Sequence, residues 1–407
     1  MQLRQDKDIK NILVRSTNWI GDAIMTTPAI QAIRQNFPAA KISILAKPWV
    51  KDVFAANPCI DHIIGYDSMH SHKGLRGQVR LAKELAEKGF DLAILLQNAF
   101  EAAWLAYLAR IPRRAGYNTD ARSLLLTHGV PLKKKTKKIH QVYYYLRMLE
   151  GLGLEVEQKP QLFLKPAPDD MAWAQKALLD AGVKNETHMS HGNTKNNETN
   201  PPSPPFTKGG DTLSPPLEKG DTGGFSDDNK LIGINPGASY GPAKRWLPER
   251  FVELAGMLTR QADARVVIFG TNADRKVGEG ALAAASGRVI NMAGKTTLGQ
   301  AMALMACCRV FITNDSGLMH VAAAQHIPLV AIFGSTNPVT TGPFSDRAVI
   351  VRKDIDCSPC LKTVCPADFR CMKEITTEEV YEATLSLLTN FDDFAKSKIY
   401  RGARRER

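Results

Sequence analysis

The 407-residue chain is predicted to be an α/β protein with two halves, each built around a parallel sheet. Three observations predict this. Short apolar segments alternate with helical patterns up to about residue 110, the alternation restarts at residue 230, and a polar segment lies between the two. Strands that alternate with helices of this length are typical of βαβ units. With 44% hydrophobic and 23% charged residues, the chain is expected to bury a sizeable core and to be neither disordered nor a coiled coil.

Each half is expected to alternate four strands with helices. In the first half, the strands are predicted at 12–14, 42–46, 63–66 and 91–97, and the helices at 23–36, 50–56, 75–88 and 99–109. In the second half, the strands are predicted at 231–234, 266–270, 310–313 and 328–333, and the helices at 248–262, 275–285, 298–307, 318–325 and 377–388. Ligands of open parallel sheets bind at the carboxyl ends of the strands, so the loops after the strands are the candidates for function.

Composition and periodicity together predict the domain organisation. We expect an N-terminal domain at 1–168, an interdomain helix at 169–184 and a C-terminal domain at 230–390. Residues 185–229 are rich in Asn, Thr, Ser, Gly and Pro and contain a repeat, SPPFTKG and SPPLEKG. Such a segment buries too little surface to order, so we expect disorder, with a docking role as the alternative. Residues 391–407 are expected to form a loose basic tail.

The positive charge is concentrated in the first part of the chain. The formal net charge is +12, and residues 1–150 hold 23 Lys and Arg against 12 Asp and Glu, a balance of +11. This indicates nucleic acid, an anionic membrane or an anionic substrate as a partner, unless it marks only a solvated face. The polar N-terminus lacks the apolar core of a secretory signal, and no apolar stretch approaches the ~20 residues of a membrane span. A cytoplasmic protein, soluble or peripheral to a membrane, is therefore expected.

The loop after the first strand, STNWIGDA at 16–23, holds a glycine followed by a carboxylate. Gly21 permits a tight turn or the close approach of another group. Asp22 is expected at the start of the next helix, at the ligand-binding edge of the sheet. Asp22 is a candidate for chemistry, but on this motif alone an N-cap of the helix is the favoured alternative.

The loop after the first strand of the second half, NPGASYGPAKRW at 235–246, suits a phosphate-bearing ligand. Its small residues, Ser239 among them, let backbone N–H groups face a ligand, and the cations Lys244 and Arg245 follow. The loop matches neither the P-loop nor the GxGxxG pattern. The alternative is a polar loop with Trp246 packed against the core.

A third loop, TNDSGLMH at 313–320, again links a strand to a helix. Asp315 and Ser316 can cap that helix, whose first N–H groups and dipole then face an anion. His320 lies near the end of the first turn and can reach the same ligand, the alternative being a buried histidine with satisfied hydrogen bonds. Two such loops in one half indicate a nucleotide site.

Two clusters of one residue type remain. Cys357, Cys360, Cys365 and Cys371 lie within 15 residues and can converge on a tetrahedral metal such as zinc, so a structural metal is expected, with an oxidised pair or redox-active thiols as alternatives. The basic run KKKTKK at 133–138 is followed by aromatic residues and preceded by further arginines. It indicates binding to nucleic acid or anionic sugars, unless it is a solvated loop.

The strings NWIGDAIMTTPA, NPGASYGPAKRW and TNDSGLMHVAAA, in this order and separation, resemble the lipopolysaccharide heptosyltransferases of glycosyltransferase family 9. Among these, they are most similar to the members that add the second heptose. The resemblance covers most of 10–183 and 230–390. It implies a GT-B fold, with two Rossmann-like domains whose parallel sheets face each other across a cleft, an acceptor in the N-terminal domain and ADP-heptose in the C-terminal domain.

The resemblance also implies a reaction: inverting transfer of L-glycero-D-manno-heptose from ADP-heptose to the first heptose of heptosyl-Kdo2-lipid A, with no cofactor required. Asp22 matches the general base and Lys244 the residue that holds the donor diphosphate. The other donor-binding candidates are Ser239, Arg245, Asp274, Asp315, Ser316, Gly317 and His320. The acceptor-binding candidates are Asn18, Trp19, Arg113, Arg114, Lys133, Lys134 and Lys135. A lipid-linked acceptor implies peripheral contact with the cytoplasmic face of the inner membrane.

Three alternatives stay open at this point. Within the family, the acceptor could be that of the first or the third heptose. Outside it, a sugar-nucleotide epimerase of similar architecture or a nucleic-acid-binding protein would use the same features differently. The chain has no standard zinc-finger or RNP pattern, so nucleic acid is not an expected partner.

Overall fold

The computed structural model describes residues 3, 8–183, 230–285 and 287–389, and these residues form two parallel α/β units. The predicted insert at 185–229 and the basic tail at 391–407 lie outside the described residues. Among those that are described, no helix combines the length and apolar character needed to cross a membrane.

The first unit contains a six-stranded sheet in the order β3-β2-β1-β4-β5-β6, with every neighbouring pair parallel. Ile12 in its centre lies opposite Ile42 on one side and Leu92 on the other, and all three side chains are buried. The elements, in chain order, are β1 (Asn11–Arg15), α1 (Ile20–Met25), α2 (Thr27–Asn36), β2 (Lys41–Ala46), β3 (His62–Gly65), α3 (Gly74–Ala86), β4 (Leu92–Leu95), α4 (Phe100–Leu108), β5 (Arg113–Tyr117), β6 (His128–Val130), α5 (Gln141–Gly151) and α6 (Pro168–Asp180).

The second unit repeats this plan with the strand order β12-β11-β10-β7-β8-β9, again parallel throughout. Its elements are β7 (Leu231–Asn235), α7 (Pro248–Gln261), β8 (Arg265–Ile268), α8 (Arg275–Ala284), β9 (Val289–Asn291), α9 (Leu298–Ala306), β10 (Val310–Asn314), α10 (Gly317–Ala324), β11 (Leu329–Ile332), α11 (Pro338–Thr341), β12 (Ala348–Val351), α12 (Arg370–Lys373) and α13 (Thr377–Thr389). The prediction of an α/β protein with two parallel sheets is confirmed.

Two helix predictions in the first unit were wrong in detail. The helix expected at 23–36 is two helices, because Pro28 has no N–H to donate to the preceding turn and the hydroxyl of Thr27 donates instead to the Ile24 carbonyl at 2.8 Å. The helix expected at 50–56 is only a 3-10 turn at Lys51–Val53. Pro58 follows closely and disfavours helical geometry in the residue before it, so there is no room for a longer helix.

The two units meet along α1 and α10, the helices that follow the central strands β1 and β10. A Cβ atom on Gly317, the first residue of α10, would lie 3.2 Å from the Cβ of Ile20 in α1. A second contact joins α6 to α9, where a Cβ on Gly299 would lie 2.2 Å from an oxygen of Asp170. One apolar core includes buried residues from both units. The carboxyl edges of the two sheets therefore face each other.

Candidate active site between the two sheets

Asp22 lies at the third position of α1 and faces the gap between the units. The N-cap position of this helix is Trp19, and no side chain caps it, so the capping role favoured for Asp22 on its motif alone is wrong. Burial raises the pKa of Asp22 to about 6; the nearby Lys244 ammonium opposes this effect, and the Asp315 carboxylate adds to it. A carboxylate with this pKa is mostly ionised at neutral pH and is basic enough to accept a proton.

Lys244 and Asp315 form a buried ion pair on the opposite side of the gap. The Lys244 Nζ lies 2.6 Å from the Asp315 Oδ2, with side-chain exposures of 13% and 5%. The Thr336 hydroxyl donates to the same oxygen at 2.6 Å, and the Lys244 ammonium lies 4.8 Å from the centre of the Tyr240 ring. Sequence reasoning missed Thr336, because it follows β11 in a loop without a recognisable pattern.

Hydrogen bonds tie the loop after β7 to the loop after β10. The Asn235 Nδ2 donates to the hydroxyls of Thr313 and Ser316, at 3.0 and 2.9 Å. The Asn314 side chain links the same two loops, since its amide donates to the Pro236 carbonyl and its oxygen accepts from the Trp246 N–H. Lys244 is thus held in a rigid frame next to the start of α10.

The expected caps of α10 are not formed by side chains. Ser316 occupies the N-cap position, but its side chain accepts no hydrogen bond from the helix, and Asp315 is engaged by Lys244 and Thr336. The capping roles predicted for these two residues are therefore wrong. Trp246, in contrast, is fully buried and donates through its indole N–H to the Ile375 carbonyl, so it packs against the core as in the alternative interpretation of this loop.

His320 packs directly against Gly21 across the gap. A Cβ atom on Gly21 would lie 2.5 Å from the His320 Cδ2, so only glycine leaves room for the ring. Burial lowers the pKa of His320 to about 3, and the neighbouring His140 and Lys244 act in the same direction, so the imidazole is neutral. Its Nδ1 is buried and has no hydrogen-bond partner among the described residues, unlike the satisfied histidine that was the alternative.

The loop at 235–246 is held in place by Arg245, which in turn is paired with Asp274. The Asp274 Oδ2 accepts hydrogen bonds from the N–H and hydroxyl of Thr271, and its Oδ1 lies 3.2 Å from the Arg245 Nη1. Two further nitrogens of Arg245 donate to the Ala238 carbonyl. The structure thus gives Arg245 and Asp274 a supporting role in this loop, in which Ser239 is exposed.

A cavity of about 450 Å³ opens beside Asp22 in the first unit. Of the predicted acceptor residues, Trp19 lines it, and Asn18 precedes Trp19 with its side-chain oxygen bound to the Arg15 guanidinium at 2.9 Å. Sequence reasoning missed most of the wall, although Gln97 and Asn98 directly follow the end of β4. The lining residues are Trp19, Asp22, Leu96, Gln97, Asn98, Leu132, Lys137, Gln141, Tyr144 and Tyr145.

The predicted basic acceptor residues lie outside this cavity. Lys133, Lys134 and Lys135 are exposed on the adjoining segment, and Lys137 of the same run is the one that lines the cavity. Arg113 and Arg114 begin β5, at the edge of the sheet opposite to Asp22, and Arg114 donates to the carbonyls of Ile111 and Leu125. The structure does not bring these two arginines to the site.

The cysteine cluster does not form the expected metal site. No group of three or more His, Cys, Asp or Glu side chains within 8–183, 230–285 and 287–389 is arranged to hold a metal ion. Cys357 is exposed whereas Cys371 is buried in α12. Burial raises the pKa of Cys371 to about 11, and the nearby thiols of Cys357, Cys365 and Cys360 add to this effect. The structural metal expected at Cys357, Cys360, Cys365 and Cys371 therefore finds no support in the arrangement of the described residues.

The segment that carries these cysteines instead packs against the loop of Lys244. The Thr363 carbonyl accepts from the Ala243 N–H at 3.0 Å, and the Leu361 carbonyl accepts from the Tyr240 hydroxyl at 3.2 Å. A Cβ on Gly241 would lie 2.3 Å from the Thr363 carbonyl oxygen, which explains the glycine at this position. The segment therefore forms one wall of the site.

Two Rossmann-like units place a basic carboxylate on one side of a cleft and a buried cation beside a helix N-terminus on the other. A carboxylate can take a proton from an attacking hydroxyl, while a cation and helix N–H groups stabilise an anionic leaving group. Together with the two facing parallel sheets, this defines a group-transfer enzyme with the GT-B fold.

Comparison with known proteins identifies the family. The sequence model of glycosyltransferase family 9 (heptosyltransferase) matches residues 78–369. Lipooligosaccharide heptosyltransferase 2 of Haemophilus influenzae is 31% identical over 350 residues, which cover 84% of this chain and 88% of the relative. The chain belongs to glycosyltransferase family 9 and is a glycosyltransferase.

Solved structures agree with this assignment. The ADP-heptose lipopolysaccharide heptosyltransferase II of Escherichia coli is 26% identical with a TM-score of 0.68, over 93% of this chain and 98% of that one. A family 9 glycosyltransferase from Veillonella parvula is 26% identical with a TM-score of 0.74, over 94% and 98% of the two chains. The family and the GT-B fold implied by the three sequence strings are confirmed, and an epimerase or a nucleic-acid-binding protein is not favoured.

Proposed function

We propose that this enzyme transfers L-glycero-D-manno-heptose from ADP-heptose to the first heptose of heptosyl-Kdo2-lipid A, with inversion at the anomeric carbon. The Haemophilus influenzae relative is named heptosyltransferase 2, and the Escherichia coli structure is named ADP-heptose lipopolysaccharide heptosyltransferase II. The observation that carries the proposal is the position of Asp22 across a narrow cleft from the buried Lys244–Asp315 pair.

Asp22 acts as the general base in this proposal. An acceptor hydroxyl in the adjoining cavity attacks the anomeric carbon, and Asp22 takes its proton as the new bond forms and the hydroxyl acidifies. Burial within the cleft raises the pKa of Asp22 to about 6, which suits a base that works near neutral pH. Asn18 and Trp19 are proposed to contact the acceptor next to this base.

Lys244 acts on the leaving group. The ammonium is held by Asp315 and lies beside the first turn of α10, so a diphosphate placed there meets both a cation and free helix N–H groups. The charge that develops on ADP as the glycosidic bond breaks is stabilised by these fixed groups without a divalent ion. Ser316, Gly317 and His320 are proposed to complete the donor site, with Ser239, Arg245 and Asp274 shaping the loop beside it.

Mass spectrometry of the reaction products tests the proposal. The purified full chain is incubated with ADP-heptose and heptosyl-Kdo2-lipid A in the presence of EDTA, and a product heavier by one heptose is expected. Kdo2-lipid A and a diheptosyl acceptor serve as parallel substrates, since a product from either one alone would move the enzyme to the first or third position. A changed sugar nucleotide in the absence of any acceptor would contradict transfer altogether.

We also infer contact with a membrane surface, because a lipid-linked acceptor must be reached from the aqueous side. The exposed Lys133, Lys134 and Lys135 lie on the segment that leads to the acceptor cavity, where they can meet anionic headgroups. Co-sedimentation with vesicles that contain anionic lipid, and its loss in high salt, would support this contact. Binding that is equal on neutral vesicles would contradict it.

A further inference from the structure

The wall of the acceptor cavity contains a hydrogen-bond chain whose direction is fixed by a buried arginine. Arg122 is fully buried and donates to three neutral oxygens: the carbonyls of Tyr117 and Gln97 and the side-chain oxygen of Asn98, the last at 2.9 Å. A guanidinium only donates, so the amide oxygen of Asn98 must face it and the amide nitrogen must point away.

The orientation of the Asn98 amide determines which hydrogen-bond role the Tyr144 hydroxyl takes. The Asn98 Nδ2 donates to the Tyr144 hydroxyl at 2.6 Å, so this hydroxyl oxygen serves as an acceptor. Its own hydrogen is then available to another acceptor, and the described residues place none within hydrogen-bond distance of it. Asn98 and Tyr144 line the same cavity as Asp22. Tyr144 therefore offers a hydrogen-bond donor to whatever occupies the space beside the base.

We propose that Arg122, Asn98 and Tyr144 form a relay that aims the Tyr144 hydroxyl at an oxygen of the acceptor saccharide while Asp22 holds the reacting hydroxyl. The inference rests on the proposed function and adds a specificity-determining contact to it. Tyr144 touches the acceptor, while Arg122 and Asn98 are positioning residues that act through it. The ligand class is a saccharide with an oxygen acceptor next to the attacking hydroxyl.

Two features keep the Tyr144 hydroxyl protonated and its side chain in place. Burial raises the pKa of Tyr144, so its hydroxyl stays protonated at the pH of the reaction. The Tyr117 hydroxyl donates to the Tyr144 backbone carbonyl at 2.8 Å, and the two rings pack with centroids 4.7 Å apart, which fixes the position of the side chain. The donor is thus preorganised before the acceptor binds.

Removal of the hydroxyl is the first test. Tyr144→Phe is expected to raise the acceptor KM roughly tenfold, the effect of one lost hydrogen bond in a partly enclosed site, with kcat and the donor KM changed less than about twofold. Tyr143→Phe is the matched control, since the Tyr143 side chain is half-exposed, packs against Phe344 and does not line the cavity. An unchanged acceptor KM in Tyr144→Phe would overturn the inference.

Reversal of the relay is the second test. In Asn98→Asp both side-chain oxygens accept, so Arg122 keeps its partner while the Tyr144 hydroxyl turns to donate to the new carboxylate. The acceptor KM is expected to rise about as much as in Tyr144→Phe, and the double variant to be no worse than Asn98→Asp alone. Effects that multiply in the double variant would show that Asn98 does not act through Tyr144.

The same assays separate this inference from the proposed function. An active wild-type enzyme with an unaffected Tyr144→Phe variant contradicts the relay alone. A wild-type enzyme that transfers heptose to none of the three acceptors contradicts the proposed function and the relay with it.

Discussion

Asp22→Asn replaces the proposed base with an amide of the same shape, and it also removes a negative charge that burial makes unfavourable. The carboxylate is enclosed between the two units, and burial moves its pKa from 3.8 to about 6. Transfer requires the ionised form, so kcat/KM of the wild-type enzyme is expected to rise with pH and level off above about 6. The amide cannot accept the proton, and a loss of 10²–10⁴ in kcat is expected in the variant.

The same shift predicts an effect on stability. Moving the pKa from 3.8 to about 6 makes the charged form up to about 3 kcal/mol less stable in the fold than in the unfolded chain. Well below pH 3.8 the carboxyl group is protonated in both the folded and the unfolded state, so wild type and variant should be equally stable there. Between pH 3.8 and about 6 the unfolded wild-type chain ionises while Asp22 in the fold stays protonated, so the wild type loses stability across this window and the loss levels off above it. At pH 8 the variant should therefore be more stable, by up to about 3 kcal/mol.

Urea unfolding at pH 4, 6 and 8 measures this difference, and product formation by mass spectrometry measures transfer. Asp180→Asn is the matched control, because its carboxylate is 66% exposed on α6 and should change neither quantity. A stability difference that does not grow with pH would refute the buried-charge argument. Near-normal turnover of Asp22→Asn would refute the assignment of the base.

Three further outcomes are expected. Lys244→Ala should lower kcat/KM for ADP-heptose at least 100-fold. Lys176 is exposed on α6, so Lys176→Ala should leave this value unchanged. Equal donor kinetics in the two variants would exclude the role of Lys244 in binding the diphosphate. Gly21→Ala places a methyl group 2.5 Å from the His320 ring and should lower the transfer rate at least tenfold. Gly65→Ala is the control, since a Cβ there has no neighbour within 4 Å and the rate should not change. Equal rates in the two variants would show that α1 and α10 can move apart without loss of activity. Transfer should stay within about twofold in EDTA, and elemental analysis should find well below one metal ion per chain; a rate that recovers only with an added divalent ion would mean that Lys244 and α10 do not suffice.

The central strands could be predicted from the sequence because both of their faces are buried. β1, β2, β4, β7, β8, β10 and β11 are short apolar runs for this reason, and each was predicted close to its observed position. The edge-side strands β5, β6, β9 and β12 were missed. β5 begins with Arg113 and Arg114 and contains Gly116, and β6 has only three residues, so neither forms an apolar run. The strand geometry of β5 and β6 comes from pairing with a neighbour, which local sequence does not encode.

The site, like the sheets, has parts that local sequence predicts and parts that only the fold creates. Loops that follow a strand and precede a helix are visible in the sequence, and these loops and the first turns of the following helices contain Asp22, Lys244, Asp315 and His320. The contacts that make these residues a site join positions far apart in the chain, such as Gly21 with His320 and Arg122 with Asn98 and Tyr144. Only the docking of the two units creates the first contact, and only the sheet order creates the second. The capping roles were wrong for a related reason, since a cap is a local explanation and these side chains have distant partners.

The two halves of the site are coupled through charge. Burial raises the pKa of Asp22, the Lys244 ammonium across the cleft lowers it, and the Asp315 carboxylate raises it again. A diphosphate bound at Lys244 brings further negative charge to the same place, so it offsets the effect of the ammonium on Asp22. If the donor binds as proposed, we expect it to make Asp22 a stronger base at the moment when the leaving group is in position. On this reasoning, the Lys244–Asp315 pair links the basicity of Asp22 in the first unit to the presence of the donor in the second.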